Sequence, residues 1–403
     1  MTLHHILVAG GNLAALRTVE TLRNEGFDGR ITMVSAEDHL PYDRPPLSKQ
    51  VLTGELDAAA TVYRDEGFFR AAGVELLLGT PATGLDLAAR VLHAGGRALR
   101  FDGLVIATGA RPRPVGVADG PAGVHVVRTL DDALALRAEL LTGPRVVVVG
   151  AGFIGAEVAS SARALGLDVT VLESAATPLG RAVGEPLGRL LGDMHAAAGV
   201  RLRCGAAVTG LRGTGLRGTG RVAEVLLSDG TSLPADVVVF GTGVVPNTEW
   251  LAGSGLDLAD GVGCDATLNA GPPAVYAVGD VASWPNALSG RRTRGQQWTT
   301  AADQAAHAAR NLLAGPAAAR PFSSSQYFWS DQYGRRVQFA GSPGGEAVVV
   351  EGDPGEFRFV ALCRDGDRLA GVLAVNTPRT FQRFKRMVEA RAPWASALSP
   401  EHV

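Results

Sequence analysis

At 403 residues the chain exceeds what one hydrophobic core of ~250 to 300 residues accommodates, so two or three domains are expected. With 46% hydrophobic and 19% charged residues it has a globular composition, which excludes disordered and fibrous classes, and a formal charge of −2 gives no field for nucleic acid. The longest apolar runs are broken by charge before the ~18 residues of a membrane span, and Met1 to His5 lead into Ile6-Leu7-Val8 without a basic or cleavable leader; a cytoplasmic protein with no membrane partner is expected. Cys204, Cys264 and Cys363 are too scattered to form a C-x-x-C dithiol or a metal-ligand cluster.

In chain order, the strand Ile6-Leu7-Val8-Ala9, the turn Gly10-Gly11-Asn12 and the helix that follows are predicted to close on a second strand, Ile31-Thr32-Met33-Val34. Gly95-Gly96 marks a hairpin, and Leu104-Val105-Ile106 reads as the next buried strand. The pattern then repeats. Val146-Val147-Val148-Val149 enters Gly150-Ala151-Gly152-Phe153-Ile154-Gly155 and a helix, closing on Val169-Thr170-Val171-Leu172-Glu173; an Asp229-Gly230 hairpin precedes Val237-Val238-Val239-Phe240. Continuously apolar strands bounded by glycine turns require parallel sheets covered on both faces. The expected fold class is therefore α/β, with two Rossmann-like domains. The tract Gly210 to Gly220 is a tandem duplication without apolar period and is expected to be a surface loop. Beyond about residue 316, short strand-like runs followed by a helical tail predict a separate C-terminal α+β domain.

Gly150-x-Gly152-x-x-Gly155, with Ile154 inside the turn, lies between a predicted strand and helix, the context in which backbone amides and the helix dipole hold a dinucleotide pyrophosphate. Glu173 follows Gly150 by 23 positions, where a carboxylate accepts the ribose hydroxyls and repels a 2′-phosphate, so NADH is favoured over NADPH. The N-terminal copy carries Gly10, Asn12 and Ala15 in place of three glycines. Alanine suits the third position, while Asn12 brings a side chain close to the phosphates. Ser35 occupies the position of Glu173, so Glu37 is the nearer candidate for the second ribose.

With Leu40-Pro41-Tyr42-Asp43-Arg44-Pro45-Pro46-Leu47-Ser48-Lys49 the chain strongly resembles the oxygenase-coupled NADH-dependent ferredoxin reductases of putidaredoxin reductase type, whose fold is that of glutathione reductase. The resemblance runs through Ala107-Thr108-Gly109-Ala110-Arg111-Pro112, Gly241-x-Gly243-Val244-Val245-Pro246-Asn247, Tyr276-Ala277-Val278-Gly279-Asp280-Val281 and Tyr327-Phe328-Trp329-Ser330-Asp331-Gln332-Tyr333. It implies an FAD domain from residues 1–112 and 242–315, an inserted NADH domain at 113–241 and a C-terminal domain at 316–403. It further implies hydride transfer from nicotinamide C4 to flavin N5 and electron delivery to an iron-sulfur ferredoxin, which serves an oxygenase. On this resemblance no protein nucleophile or metal would take part, and the protein would be a monomer or a homodimer.

The resemblance also implies roles for single residues. Asp280 after Gly279 would hold the ribityl chain, Thr108 and Gly109 would approach the FAD, and Arg44 and Arg128 would face its pyrophosphate or flavin. Trp298 would open a helix whose amides point at the flavin, Trp329 would lie near the isoalloxazine, and Lys49 with Glu157 would be the ion pair beside N5. Arginines at 291, 292, 294, 335, 336, 379, 383 and 386 would steer an acidic ferredoxin. The alternatives are an NADH oxidase or disulfide reductase, for which Pro45 to Ser48 lacks the cysteines, and a signalling protein of the same fold that binds FAD and NADH without turnover.

Overall fold

The computed structural model describes residues 3–114, 121–214 and 220–399. They form two compact units. The first comprises Met1–Asp43, Thr61–Arg111 and Val245–Tyr327; the second comprises Arg44–Ala60, Pro112–Val244 and Phe328–Val403. Among the described residues no helix is long and apolar enough to cross a membrane.

In the first unit five parallel strands lie in the order Val275–Ala277, Gly103–Ile106, His5–Ala9, Arg30–Val34, Val74–Leu77. The central strands are buried along almost their whole length, as a sheet covered on both faces demands. Leu16, Val19 and Leu22 of the helix Leu13–Asn24 join one core with Ile6, Val8, Leu104 and Ala305. In this order the chain runs outward from His5–Ala9 to one side and then returns to the other, which creates a crevice at the carboxyl end of His5–Ala9.

The second unit repeats this order with Val237–Phe240, Val146–Val149, Val169–Glu173 and Arg201–Cys204, again all parallel. Its fifth strand, Val124–His125, comes from before the repeat in sequence, whereas Val275–Ala277 comes long after its own. The switch point falls between Val149 and Phe240. A three-stranded antiparallel meander accompanies each sheet, Ala82 to Arg100 in one unit and Val208 to Pro234 in the other.

One expectation is corrected. Gly210 to Gly213, the start of the glycine-rich tract, belong to the strand Val208–Gly213 paired antiparallel with Val222–Leu227, because cross-strand hydrogen bonding supplies what apolar periodicity does not; residues 215–219 lie outside the described residues.

The second unit also contains an antiparallel sheet in the order Phe328–Gln332, Arg335–Gly341, Arg368–Val375, Arg358–Asp365, Glu346–Asp353, followed by the helix Pro378–Glu389. Phe328, Val337, Phe339 and Phe359 share a core with Leu187, Leu191 and Met194 of the helix Glu185–Ala197, so this sheet and that helix are held by one apolar cluster.

Candidate active site

Both fingerprints sit at their sheet's switch point, and both need glycine first for the same reason. A Cβ on Gly10, at φ +148°, would lie 2.2 Å from the Ala107 carbonyl oxygen; one on Gly150, at φ +100°, would lie 2.6 Å from that of Gly241. Gly155 allows helix Phe153–Ala164 to close on the turn, since its Cβ would fall 1.9 Å from the Gly150 carbonyl oxygen. At Gly152 a Cβ would meet nothing nearer than 3.9 Å, and no side chain caps the helix, so its first amides face open space suited to a pyrophosphate. Ile154 is 40% exposed beside them. Gly243, at φ +93°, leaves a second stretch of backbone bare in the same unit.

Glu173 ends its strand with Oε2 accepting from Ala151 N and Oε1 from Ala175 N, each at 2.8 Å. Oε1 also accepts from the Ser174 hydroxyl at 3.3 Å, so the carboxylate braces the glycine turn while Oε2 keeps a lone pair for a ribose hydroxyl.

In the first unit the equivalent bracing is different. Ser35 packs where Glu173 would stand, and a Cβ on Gly11 would lie 2.0 Å from Ser35 Oγ, so this turn needs a glycine at 11. Glu37 accepts from the Tyr42 hydroxyl. Asn12 is the N-cap of Leu13–Asn24: its Oδ1 accepts from Leu13 N at 2.8 Å, and its Nδ2 is buried without a hydrogen-bond partner among the described residues. The side chain is thus folded back on the helix. Ala15 is fully buried. Asn12→Gly is expected to leave FAD bound as tightly or somewhat more tightly, because a glycine N-cap costs the helix only a few tenths of a kcal/mol and clears a side chain from the helix N-terminus. Flavin titration of the apoprotein checks this; clearly weaker binding would give the asparagine a needed contact.

The space around Gly279 fits a flavin nucleotide. A Cβ on Gly279, at φ +74°, would touch Ala14 at 3.4 Å and Ala301 at 3.5 Å, so the first turns of the helices Leu13–Asn24 and Trp298–Ala314 converge on this one glycine. Two sets of helix N-terminal amides beside small side chains favour two separated electronegative groups, as a pyrophosphate and a flavin carbonyl present. Gln304 Oε1 accepts from Gly279 N at 2.8 Å and Arg294 Nη1 donates to the Asp280 carbonyl at 3.2 Å, fixing the turn that carries Asp280.

Thr108 and Gly109 are locked by Asn247: Thr108 Oγ1 donates to its carbonyl at 2.9 Å, its Nδ2 donates to the Thr108 carbonyl at 2.8 Å, and its N to the Gly109 carbonyl at 3.0 Å. Trp298 Nε1 donates to Asp43 Oδ1 at 2.9 Å, and Tyr63 donates to the same oxygen at 2.6 Å, so the indole ties the helix start to the end of the Pro41–Asp43 stretch. Burial and Asp43 push the Tyr63 hydroxyl's pKa upward. The partners Gln304 and Tyr63 have no positional signature in the sequence, and Asn247 shows there only as the end of the Gly241 to Asn247 motif, with no role attached.

In the second unit Lys49 Nζ donates to Glu157 Oε2 at 2.8 Å, with side-chain exposures of 12% and 5%. Arg44 donates to the Arg128 carbonyl, and Arg128 N to Asp132 at 3.0 Å, at the start of the helix Leu130–Leu140. Trp329 is half-buried on Phe328–Gln332. His195 is a core residue, its Nδ1 bonded to the Tyr333 hydroxyl at 2.7 Å, and burial pushes its pKa down to about 4. Cys264 and Cys363 are buried, which pushes their thiols up to about 12, far from the reactive thiolate.

Of the arginines expected to steer a partner, Arg294 is only 11% exposed and bonds Asp260, Arg336 pairs with Asp331, and Arg335 lies over the Phe357 ring at 4.2 Å. Arg294 is thereby turned inward, whereas Arg336 stays 57% exposed in its pair. Arg291, Arg379 and Arg386 are exposed.

Two anion-binding cradles on two separate parallel sheets allow one chain to hold two dinucleotides at once, which places it among the flavoprotein oxidoreductases that use FAD and a pyridine nucleotide. The chain belongs to the pyridine nucleotide-disulphide oxidoreductase family, whose model matches residues 4–305, and a reductase C-terminal model matches residues 327–399. It is 39% identical over 399 residues to the ferredoxin–NAD(+) reductase component of the anthranilate 1,2-dioxygenase system of Burkholderia cepacia, covering 97% of this chain and 96% of that protein. It is 34% identical to the putidaredoxin reductase of Pseudomonas putida, over 96% of this chain and 92% of that one. The crystal structure of the covalent putidaredoxin reductase–putidaredoxin complex matches with a TM-score of 0.93 at 32% identity, covering 99% of this chain and 96% of that chain.

Proposed function

We propose that the protein is an FAD-dependent ferredoxin reductase that passes electrons from NADH to an iron-sulfur ferredoxin serving a monooxygenase or dioxygenase. The observation that carries this is the pair of glycine cradles at two switch points, joined to a Pro45-Pro46-Leu47-Ser48 segment that holds no cysteine and so offers no protein disulfide as electron acceptor. FAD, when bound, supplies a two-electron acceptor for the nicotinamide hydride and single-electron delivery to an iron-sulfur centre.

The chain's own residues bind and orient. Gly10, Asn12, Ala15, Glu37, Thr108, Gly109, Gly279, Asp280 and Trp298 hold FAD, with Arg44, Arg128 and Trp329 as further contacts. Gly150, Gly152, Ile154, Gly155, Glu173 and Gly243 hold NADH. The Lys49–Glu157 pair places a cation that controls the rate of flavin reduction. Residues 1–112 with 242–315 form the FAD domain, 113–241 the NADH domain and 316–403 the C-terminal domain. The reductase works in the cytoplasm, where NADH is generated.

Ferredoxin-dependent cytochrome c reduction tests the partner. Exposed arginines raise the association rate with an acidic protein, and salt screens them over ~8 to 10 Å. The rate is expected to fall as ionic strength rises to ~0.5 M and on charge reversal at Arg379 and Arg386, which are exposed. Reduction of ferricyanide, an anion that needs no docked surface, is expected to change less. A rate flat in salt and indifferent to both reversals contradicts electrostatic docking.

A further inference from the structure

Glu157 is 4% exposed, yet its carboxylate collects three donors from two stretches of chain far apart in sequence. Ser48 Oγ and Lys49 Nζ donate to Oε2, and Ser330 Oγ donates to Oε1 at 2.8 Å. Among the described residues no other side-chain hydrogen bond reaches Oε1. Ser330 is fully buried on the strand Phe328–Gln332, and its oxygen accepts from Gln332 Nε2 at 3.0 Å. An amide NH₂ only donates, so the proton of the Ser330 hydroxyl is left for Glu157 and the bond has one direction.

We propose that Ser330 is a positioning residue for flavin reduction: it pins Oε1 of Glu157 so that Oε2 stays turned to Lys49, and the C-terminal sheet thereby sets where the Lys49 ammonium lies. This rests on the reading that the Lys49–Glu157 pair controls reduction by NADH. Loss of the hydroxyl leaves a buried carboxylate oxygen unpaired, which the side chain relieves by rotating, and the ammonium moves with it.

Stopped-flow reduction of the FAD-loaded protein by NADH tests the proposal. Ser330→Ala is expected to slow reduction about 10-fold, the scale of one hydrogen bond to a charged group, with NADH affinity unchanged within about 2-fold. In a Lys49→Met background the same change is expected to cost nothing further, since no ammonium remains to be placed. Equal slowing in both backgrounds is what a merely structural serine gives, and it overturns the proposal, as does no slowing in the native background. Should the alanine variant not fold, Ser330→Cys, of similar size with a weak donor, is expected to slow reduction by a smaller factor; reduction at the native rate overturns the proposal. Lys49→Met alone at the native rate refutes the underlying reading, and the proposal falls with it, an outcome the cycle separates from failure of Ser330 alone.

Discussion

Lys49→Met is expected to slow flavin reduction by NADH about 10²-fold while changing NADH affinity by no more than about 3-fold. The ammonium lies 2.8 Å from Glu157 Oε2 with 12% of its side chain exposed, so it acts in a largely water-excluded setting, where a fixed charge counts for more than in solvent. Methionine keeps an apolar stem of similar length and removes the ammonium with its hydrogen bond to Glu157. It leaves Glu157 buried without its cation, and breaking a buried pair costs about 3 to 5 kcal/mol. The melting temperature is therefore expected to fall as well. Because Ser48 and Ser330 still donate to the carboxylate, the fold is expected to survive. Stopped-flow reduction measured with the NADH Kd separates the two effects, and reduction at the native rate would return Lys49 to a structural role.

Glu173 is expected to make kcat/KM for NADH exceed that for NADPH by about 10²-fold or more, since like charges brought together cost several kcal/mol. Its carboxylate is held by the amides of Ala151 and Ala175, so it cannot swing away from a 2′-phosphate without releasing the turn that carries Gly150 and Gly152. Glu173→Ala is expected to raise the KM for NADH and narrow the preference. The brace and the discrimination are lost together. Equal values for the two nucleotides in the native protein, with ferricyanide as acceptor, refute the role of Glu173.

The two parallel sheets were legible because their signals are local. Runs such as Val146 to Val149 and the glycines behind them must be apolar and small wherever a buried strand feeds a helix, and the repeat doubles the signal. The place of Glu173 at the end of its strand, beside the glycine turn, was legible because its distance from the fingerprint is set by one helix and one strand. The bonds that brace the candidate site were not. Ser330 stands 173 residues from Glu157 and Trp298 stands 255 from Asp43, separations that carry no period, and a serine or tryptophan in a strand or helix reads as packing. The contacts of Arg294, Arg335 and Arg336 were hidden for a related reason: an arginine's charge is visible in the sequence, but the aspartate or ring it meets is chosen by the fold. Residues 44–60 cluster with the second unit although they lie in sequence between segments of the first. No change of composition marks that crossing.

The central claim, that one chain takes electrons from NADH by way of FAD and gives them to a ferredoxin, is tested most directly by cytochrome c reduction under anaerobic conditions with each component omitted in turn. The expected result is a yellow protein whose flavin absorbance is bleached by NADH, and cytochrome c reduction that needs NADH, the FAD-loaded protein and ferredoxin together. A colourless protein that takes up no FAD, or cytochrome c reduction just as fast without ferredoxin, would contradict it.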